Sequence, residues 1–474
     1  MKRLFLKTKY IVGNHTDYQN FPYEGGIIIF DNQYKILREH LRLCGLGFGV
    51  PHNFFDLGEN LLSKWVSAII DSGYISGDFY EIKKALMQEF IAEPTPAKTR
   101  IRINVNALIN RPAIRFIDLF AGIGGFHQAM SATGATCVFA SEWDKNARIS
   151  YEANYNKATP ILFDNDYRYF NSDINDATPE DIPDFEVCCA GFPCQAFSIA
   201  GLKRGFEDTR GTLFFNIANI VKFKKQHGHA PKVLFLENVK GLKMHDHGNT
   251  LEVILGTLNE LGYDYNYEVL NAKYFGVPQN RERLFIIAWD PSQIDADEFK
   301  FPYGIDARGN TIFDKNKVKT DARIVHLSDI YEPRETIDPS FTISDRMWIG
   351  HQERKKRNKE NGKGFGYSLF KDDATYCSTI SARYWKDGSE ILIDQSHLGL
   401  NPRKLTPVEA GRLQGYNIEG NGWANPNTNV STHEQMTYKI VVSKKEAYHQ
   451  FGNSVAVPVI KRLAQEIMKQ LLNE

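Results

Sequence analysis

Apolar positions along the chain follow two rhythms, and where each holds divides the sequence before any chemistry is considered. From residue 114 onward, short unbroken apolar runs alternate with turns and with stretches whose apolar residues recur at helical spacing. That is the pattern of strands buried on both faces of a sheet and joined by helices. Residues 114–119, 136–141, 187–190 and 233–236 predict four such strands, and 267–272 and 284–289 predict two more. Helices are expected from Phe126 and over about 212–225. Between Asp290 and Pro402 the rhythm stops, leaving several glycines and one hairpin-like segment, SARYWKDGSEILI, with Asp387-Gly388 as its turn. It resumes with Thr406-Pro407-Val408-Glu409, which opens a short helix, and with an amphipathic helix over 455–472.

The architecture this predicts is α/β. A mostly parallel, doubly wound sheet occupies 113–289, a smaller irregular domain 290–402, and a C-terminal segment 403–474. Residues 1–112 read differently. Leu57, Leu61, Leu62, Trp65, Ile69 and Ile70 lie at mixed three and four spacings within 54–90, enough for a small helical extension, and 92–98 has linker composition. A packing appendage, an extra nucleic-acid contact and an operator-binding regulator all fit that extension.

Composition changes this picture little. At 474 residues, with 42% apolar and 24% charged positions, the chain reads as a soluble globular protein of two or three domains. No apolar run approaches a membrane span, and the start MKRLFLKTKYIVGNHTDY turns polar too soon for a signal peptide, so a cytoplasmic protein is expected. The six cysteines, two of them the adjacent Cys188 and Cys189, show no CxxC pair, so neither a disulfide framework nor a metal site is indicated. A formal net charge of zero argues against a general nucleic-acid binder. Local distribution can override it: within 346–363, Arg346, Arg354, Lys355, Lys356, Arg357, Lys359 and Lys363 face only Glu353 and Glu360, a net +5 before histidine. Such a run is either a solvated helix face or a phosphate-contacting surface.

Candidate chemistry concentrates at the ends of the predicted strands. Residues 191–201 read GFPCQAFSIAG, and here Cys194 follows Pro193 at the carboxyl end of an apolar run, where open α/β sheets place ligand sites. A lone cysteine is usually packed, but the proline, Gly191 and the polar Gln195 and Ser198 suit an exposed nucleophile. The first strand runs into Ala121-Gly122-Ile123-Gly124-Gly125, a glycine turn that opens a helix and departs from GxGxxG. The second strand ends in Glu142, placed to accept hydrogen bonds from ribose hydroxyls, followed by Trp143, placed to stack on an adenine. The absence of a pyrophosphate fingerprint favours a nucleoside ligand without phosphates. Glu237 ends the fourth strand, as a loop cap or a catalytic acid. Arg281 and Arg283 alternate, so both can point to one side of an extended segment as electrostatic helpers or as solvated surface charges.

These stretches resemble the DNA (cytosine-5) methyltransferases. GFPCQAFSIAG looks like that family's catalytic loop, and FIDLFAGIGG from Phe116, LFLENVKGL from Leu234, VPQNRERLFIIA from Val277, RKLTPVEAGRLQGY from Arg403 and FGNSVAVPVI from Phe451 look like its other blocks, in the family's order. The resemblance covers about residues 113–474 and implies an S-adenosylmethionine-dependent methyltransferase fold whose last segment folds back on the first domain. It implies that Cys194 attacks cytosine C6 and that Glu237 contacts N3, with Arg281 and Arg283 beside them. It also implies that Phe120, Glu142, Trp143, Asp173 and Leu213, with Asn453 and Val455, contact S-adenosylmethionine around the turn at Gly122 and Gly124. The target base would be flipped out of duplex DNA.

A narrower resemblance bears on which DNA is read. GKGFGYSLF from Gly362, TISARYWKDGSEILID from Thr379 and KKEAYHQFGNSV from Lys444 are similar to segments of Dcm-type bacterial enzymes, which methylate the inner cytosine of CCWGG or CCNGG. Arg383, beside Tyr384 and Trp385, could present its guanidinium to a guanine, with Arg354, Lys355 and Arg357 on the backbone. The expectation is a bacterial, nucleoid-associated, monomeric enzyme acting on double-stranded DNA, protecting sites that a cognate restriction endonuclease cuts without direct contact between the two. A tRNA cytosine-5 methyltransferase of the same fold and a regulator acting through residues 1–112 are the rival readings.

Overall fold

The computed structural model describes residues 114–164, 166–193, 213–418 and 437–472; Cys194 and the predicted N-terminal helix and linker lie outside the described residues. Seven strands, β1 (Arg115–Leu119), β2 (Thr136–Ser141), β3 (Phe170–Asn171), β4 (Val187–Gly191), β5 (Val233–Val239), β6 (Asp264–Asn271) and β7 (Glu282–Trp289), form one sheet in the order β3-β2-β1-β4-β5-β7-β6. The first five are parallel, and β7 lies antiparallel between β5 and β6. From β1 the chain moves to one side through β2 and β3 and returns on the other side with β4. The strand order therefore reverses between β1 and β4, and a ligand crevice is expected outside their carboxyl ends.

Strand parity divides the interior into two cores, which is why these strands read as unbroken apolar runs. Phe116, Val187, Cys189 and Phe235 face one core, while Ile117, Cys188, Ala190 and Leu236 face the other. Helices α1 (Gly125–Ser131) and α2 (Lys145–Tyr155) contribute to the first core, and α3 (Leu213–Gln226) and α4 (Asn249–Glu260) cover the second. Two-residue ladders pair β8 (Gly304–Ile305) with β9 (Thr311–Ile312), and β10 (Leu369–Phe370) with β11 (Leu392–Ile393). Between these ladders runs α5 (Asp345–Glu360), which carries most of the basic run.

Helix α6 (Pro407–Leu413) opens as expected, with Thr406 as N-cap, Pro407 in the first turn and Glu409 closing a capping box. Helices α7 (Lys444–Asn453) and α8 (Val457–Leu472) follow. Ile460, Leu463, Ile467 and Leu471 lie on one face of α8, are buried, and join the core that α1 also lines. Each such side chain contributes about 1.5–3 kcal/mol of burial, which fixes the C-terminal segment against the glycine turn.

Several sequence expectations need correction. The C-terminal helix starts at Val457, and a separate helix, α7, precedes it across Ser454. The short β3 was not foreseen, because two residues carry no periodicity. The hairpin around Asp387-Gly388 does not form. Its residues instead make successive turns, with the Gly388 N–H donating to the Tyr384 carbonyl and Ile391 to Gly388, and β11 pairs in parallel with β10. Tyr384 is fully buried, its hydroxyl donating to the Ile391 carbonyl at 2.7 Å and accepting from the Leu405 N–H at 2.8 Å. Burying that ring with its hydroxyl satisfied outweighs the Asp-Gly turn preference, so Tyr384 is core and does not accompany Arg383 outward.

Candidate active site

The glycine turn after β1 is held from three sides. Phe120, Gly122 and Gly124 all take positive φ, at 56°, 55° and 81°. For Phe120 this is a conformation costing about 1–2 kcal/mol, of the kind found at functional sites. The Gly122 N–H donates to Glu142 Oε2 at 2.7 Å, tying the turn to the end of β2. At Gly124 a Cβ would fall 2.3 Å from the Tyr155 ring, whose hydroxyl donates to the Gly124 carbonyl at 2.7 Å. At Gly125 a Cβ would fall 2.4 Å from Val455, so the C-terminal segment packs directly on the turn.

Glu142 is buried. Besides Gly122 it accepts from the Asp144 N–H at 2.8 Å, and burial, partly offset by these two N–H groups, raises its pKa. Two amide contacts leave lone pairs on both carboxylate oxygens free for hydroxyls. Trp143 beside it is 82% exposed, a large apolar ring at the rim of the crevice. Asp173 caps a short turn, accepting from the Asn175 N–H and Nδ2, and Asn175 in turn accepts from Asn216 on α3, the helix that begins at Leu213. Asn453 is exposed at the end of α7, with its Nδ2 3.3 Å from His449 Nε2. The residues expected to hold a nucleoside are thus distributed over the carboxyl ends of β1, β2 and β3, the start of α3 and the end of α7. An exposed aromatic ring beside a buried carboxylate fits an adenosine-bearing ligand.

On the other side of the switch point, Gly191 pairs with Glu237 in the β4–β5 register. Asn238 Nδ2 donates to the Phe192 carbonyl at 2.8 Å, fixing the chain two residues before Cys194. Glu237 is buried, with Oε1 3.2 Å from Arg283 Nε. Burial raises its pKa, against the pull of Arg283 and then Arg281. Burial in turn pushes Arg281 down to about 9, and its guanidinium is held by backbone carbonyls: Ser454 at 2.6 Å, Gly452 at 3.2 Å and Ile380 at 3.4 Å. The four described cysteines, Cys137, Cys188, Cys189 and Cys377, are all buried with thiol pKa values raised by that burial, which makes each a poor nucleophile.

Comparison with known proteins settles the family. A family model for C-5 cytosine-specific DNA methylases matches residues 114–469. The chain belongs to the C-5 cytosine-specific DNA methylases. The type II methyltransferase M.SsoII of Shigella sonnei is 46% identical over 359 residues, 75% of this chain and 80% of that one. M.HpaII of Haemophilus parainfluenzae is 37% identical over 408 residues, covering 83% and 99%. The solved structure of the S. pombe Dnmt2 methyltransferase superposes with a TM-score of 0.52 over 76% of this chain and 100% of its own at 19% identity, a likeness of fold alone. The methylase acts on cytosine C5 in DNA, and its family and fold make S-adenosylmethionine the methyl donor.

The candidate DNA-reading residues are placed differently from one another. Arg383 is exposed, and Trp385 is half-buried, with the Lys386 and Lys445 ammoniums 5.5 and 5.0 Å from its ring. On α5, Arg357 is exposed and Lys355 stands 4.2 Å over the Tyr367 ring. Arg354 directs its donors inward, to Asp387 Oδ2 at 2.9 Å and the Gly366 carbonyl at 2.8 Å, with His351 Nδ1 at 3.0 Å. Sequence reasoning missed Arg148, which donates to the Glu142, Phe170 and Asn171 carbonyls and so joins the ends of β2 and β3. It also missed the buried amides of Gln279 and Gln414. Both amides lie in the blocks VPQNRERLFIIA and RKLTPVEAGRLQGY, but their side-chain partners come from elsewhere in the chain and are not announced there.

Proposed function

We propose that the methylase modifies the inner cytosine of a CCNGG-like site through a covalent Cys194 adduct, protecting that site from a cognate restriction endonuclease. The observation that carries the chemistry is the buried Glu237–Arg283 pair at the end of β5, facing Gly191 across the β4–β5 register three residues before Cys194. The burial of all four described thiols, which leaves each a poor nucleophile, supports Cys194 as the nucleophile.

In this reading the thiolate of Cys194 adds to C6 of the flipped base, placing electron density on C5. Glu237, whose burial favours the protonated form over the ionised one, holds a proton at N3 and stabilises the adduct. Arg283 orients the carboxyl group, and Arg281 adds positive potential from behind. Glu142 and Trp143 hold the adenosine part of the donor, with Phe120, Asp173, Leu213, Asn453 and Val455 around it. Bound there, S-adenosylmethionine supplies an electrophilic methyl group. Loss of the C5 proton then expels the Cys194 thiolate and leaves 5-methylcytosine. Residues 113–289 and 403–474 form the catalytic unit, and 290–402 read DNA as a target-recognition domain, with Arg383 on a guanine. The enzyme works as a monomer.

Two measurements test this reading. Radiolabel from S-adenosylmethionine should enter duplex DNA and not tRNA, with bisulfite sequencing placing it in a CC…GG frame. Methylation outside that frame refutes the target, and transfer to tRNA alone refutes the substrate. Duplex DNA carrying 5-fluorocytosine at the target should form a denaturation-resistant adduct, and failure on a confirmed site refutes the covalent step.

A further inference from the structure

Four separate stretches of chain meet beside Arg281, joined by two side-chain amides. Gln279 and Gln414 are both fully buried. The Ile380 N–H donates to Gln279 Oε1 at 3.1 Å. Gln279 Nε2 donates to the Leu413 carbonyl at 3.0 Å and to Gln414 Oε1 at 3.2 Å. Gln414 Nε2 donates to the Phe451 carbonyl at 2.6 Å. A backbone N–H can only donate and a carbonyl can only accept, so the two ends fix the orientation of both amides. The result is one polarised relay running from Ile380 to Phe451.

The ends of this relay are not generic positions. Ile380 lies three residues before Arg383, and its carbonyl accepts from Arg281. Phe451 is followed by Gly452, whose backbone lies so close to Ser381 and Ala382 that a Cβ there would fall 2.2 Å from the Ala382 nitrogen. Asn453 and Val455 come next, and Val455 touches the glycine turn. The segment leading to the base-reading arginine and the segment completing the cofactor crevice are therefore connected through these two glutamines.

We propose that Gln279 and Gln414 are positioning residues that couple the two sites, so that seating the cofactor against Asn453 and Val455 sets the segment carrying Arg383 for DNA reading, and the reverse. This rests on the assignments of those residues made above. Removing Gln279 takes the acceptor from the Ile380 N–H and a donor from the Leu413 carbonyl, and removing Gln414 takes the donor from the Phe451 carbonyl, so loss of either amide breaks the connection between Ile380 and Phe451. Such coupling is reciprocal.

The test uses the full chain and measures Kd for a CCNGG duplex with and without saturating S-adenosylhomocysteine. In the wild type the ligand should tighten DNA binding by about tenfold, within the usual range for coupled sites. In Gln279→Met and Gln414→Met, which keep length but lose the donors and acceptors, that ratio should fall to within about twofold of one. Affinity of the free protein for S-adenosylhomocysteine should change by less than about threefold, and the double variant should match the single ones, as members of one relay do. An unchanged ratio in the variants overturns the inference, as does proportional loss of both affinities with the ratio intact, the signature of mere packing. A wild type that binds both ligands without coupling overturns it too. Should a methionine variant fail to fold, the isosteric Gln279→Glu, which puts an acceptor against the Leu413 carbonyl, carries the same comparison. A wild type that binds neither ligand would sink the functional reading itself, an outcome distinct from losing the ratio in a protein that binds both.

Discussion

The two halves of the site are built by different means. Around β1, β2, β4 and β5, the candidate side chains sit where strand register puts them: Glu142 directly follows β2, and Glu237 pairs with Gly191. In the span from Asp290 to Pro402 the strands are two residues long, and side-chain staples hold the loops: Arg354 to Asp387, and Tyr384 to the Ile391 carbonyl and, just beyond the span, to the Leu405 N–H. A sheet places a residue to within its pleat at no extra cost. A stapled loop depends on every partner it has, so substitutions in the first half should act on chemistry locally, and those in the second should act at a distance.

The largest expected effect tests the first half. Cys194→Ala should abolish methyl transfer while leaving S-adenosylhomocysteine affinity within about twofold, because the thiol serves chemistry alone. Measurable turnover would remove Cys194 from the mechanism. Glu237→Gln comes next, with kcat reduced by about 10²- to 10⁴-fold, the usual contribution of a placed acid. Its stability carries a second readout. Glu237 titrates higher in the folded protein than in the unfolded chain, so its contribution to stability is full below the unfolded value of about 4.3 and is lost as pH rises through the folded one. The unfolding free energy of the wild type minus that of the Glu237→Gln variant should therefore fall with rising pH across that window. A difference that rises there would contradict the burial argument.

A third contrast lies within the cofactor crevice. Glu142→Ala removes charge-assisted hydrogen bonds worth about 1.5–3 kcal/mol, a loss in cofactor affinity of roughly tenfold or more. It also strands the Gly122 and Asp144 N–H groups, so Tm should drop as well. Trp143→Ala should weaken cofactor binding with Tm almost unchanged, since the ring is exposed in the free protein. Calorimetry on both variants decides, and unchanged affinity in either takes that residue out of the crevice.

This difference in construction also explains what the sequence made legible. Strands that face two cores are mostly apolar, the buried Asp118 of β1 being an exception, so their runs are readable, and Glu237 stands out as a candidate by following one. Glu142 reads from the sequence as a candidate ligand residue, but not as the brace of its own turn, because the Gly122 contact needs the β1–β2 pairing to exist. Gln279 and Gln414 lie in the VPQNRERLFIIA and RKLTPVEAGRLQGY blocks, but those blocks do not announce the partners across the fold, and Arg148 lies in no quoted block. At Asp387-Gly388 the chain turns as its local signal says, but the hairpin gives way to the burial of Tyr384, a contest that local pattern does not weigh.

The smallest expected effect separates two arginines of one helix. Arg354 and Arg357 are both on α5, in the basic run that reads as a DNA-contacting surface. Arg354 places its donors on Asp387, Gly366 and His351, while Arg357 is exposed in the last turn. If Arg357 meets a phosphate, Arg357→Gln should lower the slope of log affinity against log salt by about 0.9 and weaken target and non-target duplexes alike. Arg354→Gln should leave that slope unchanged, because its charge is already engaged by Asp387. It should instead free the loop of Arg383 and Trp385, costing about 0.2–1 kcal/mol of stability for a half-exposed ion pair and eroding the preference for the target duplex over the non-target one. Fluorescence-anisotropy titrations at several salt concentrations read both effects. A slope that falls for Arg354→Gln with target preference intact would make Arg354 a phosphate contact and remove the staple from the account of specificity.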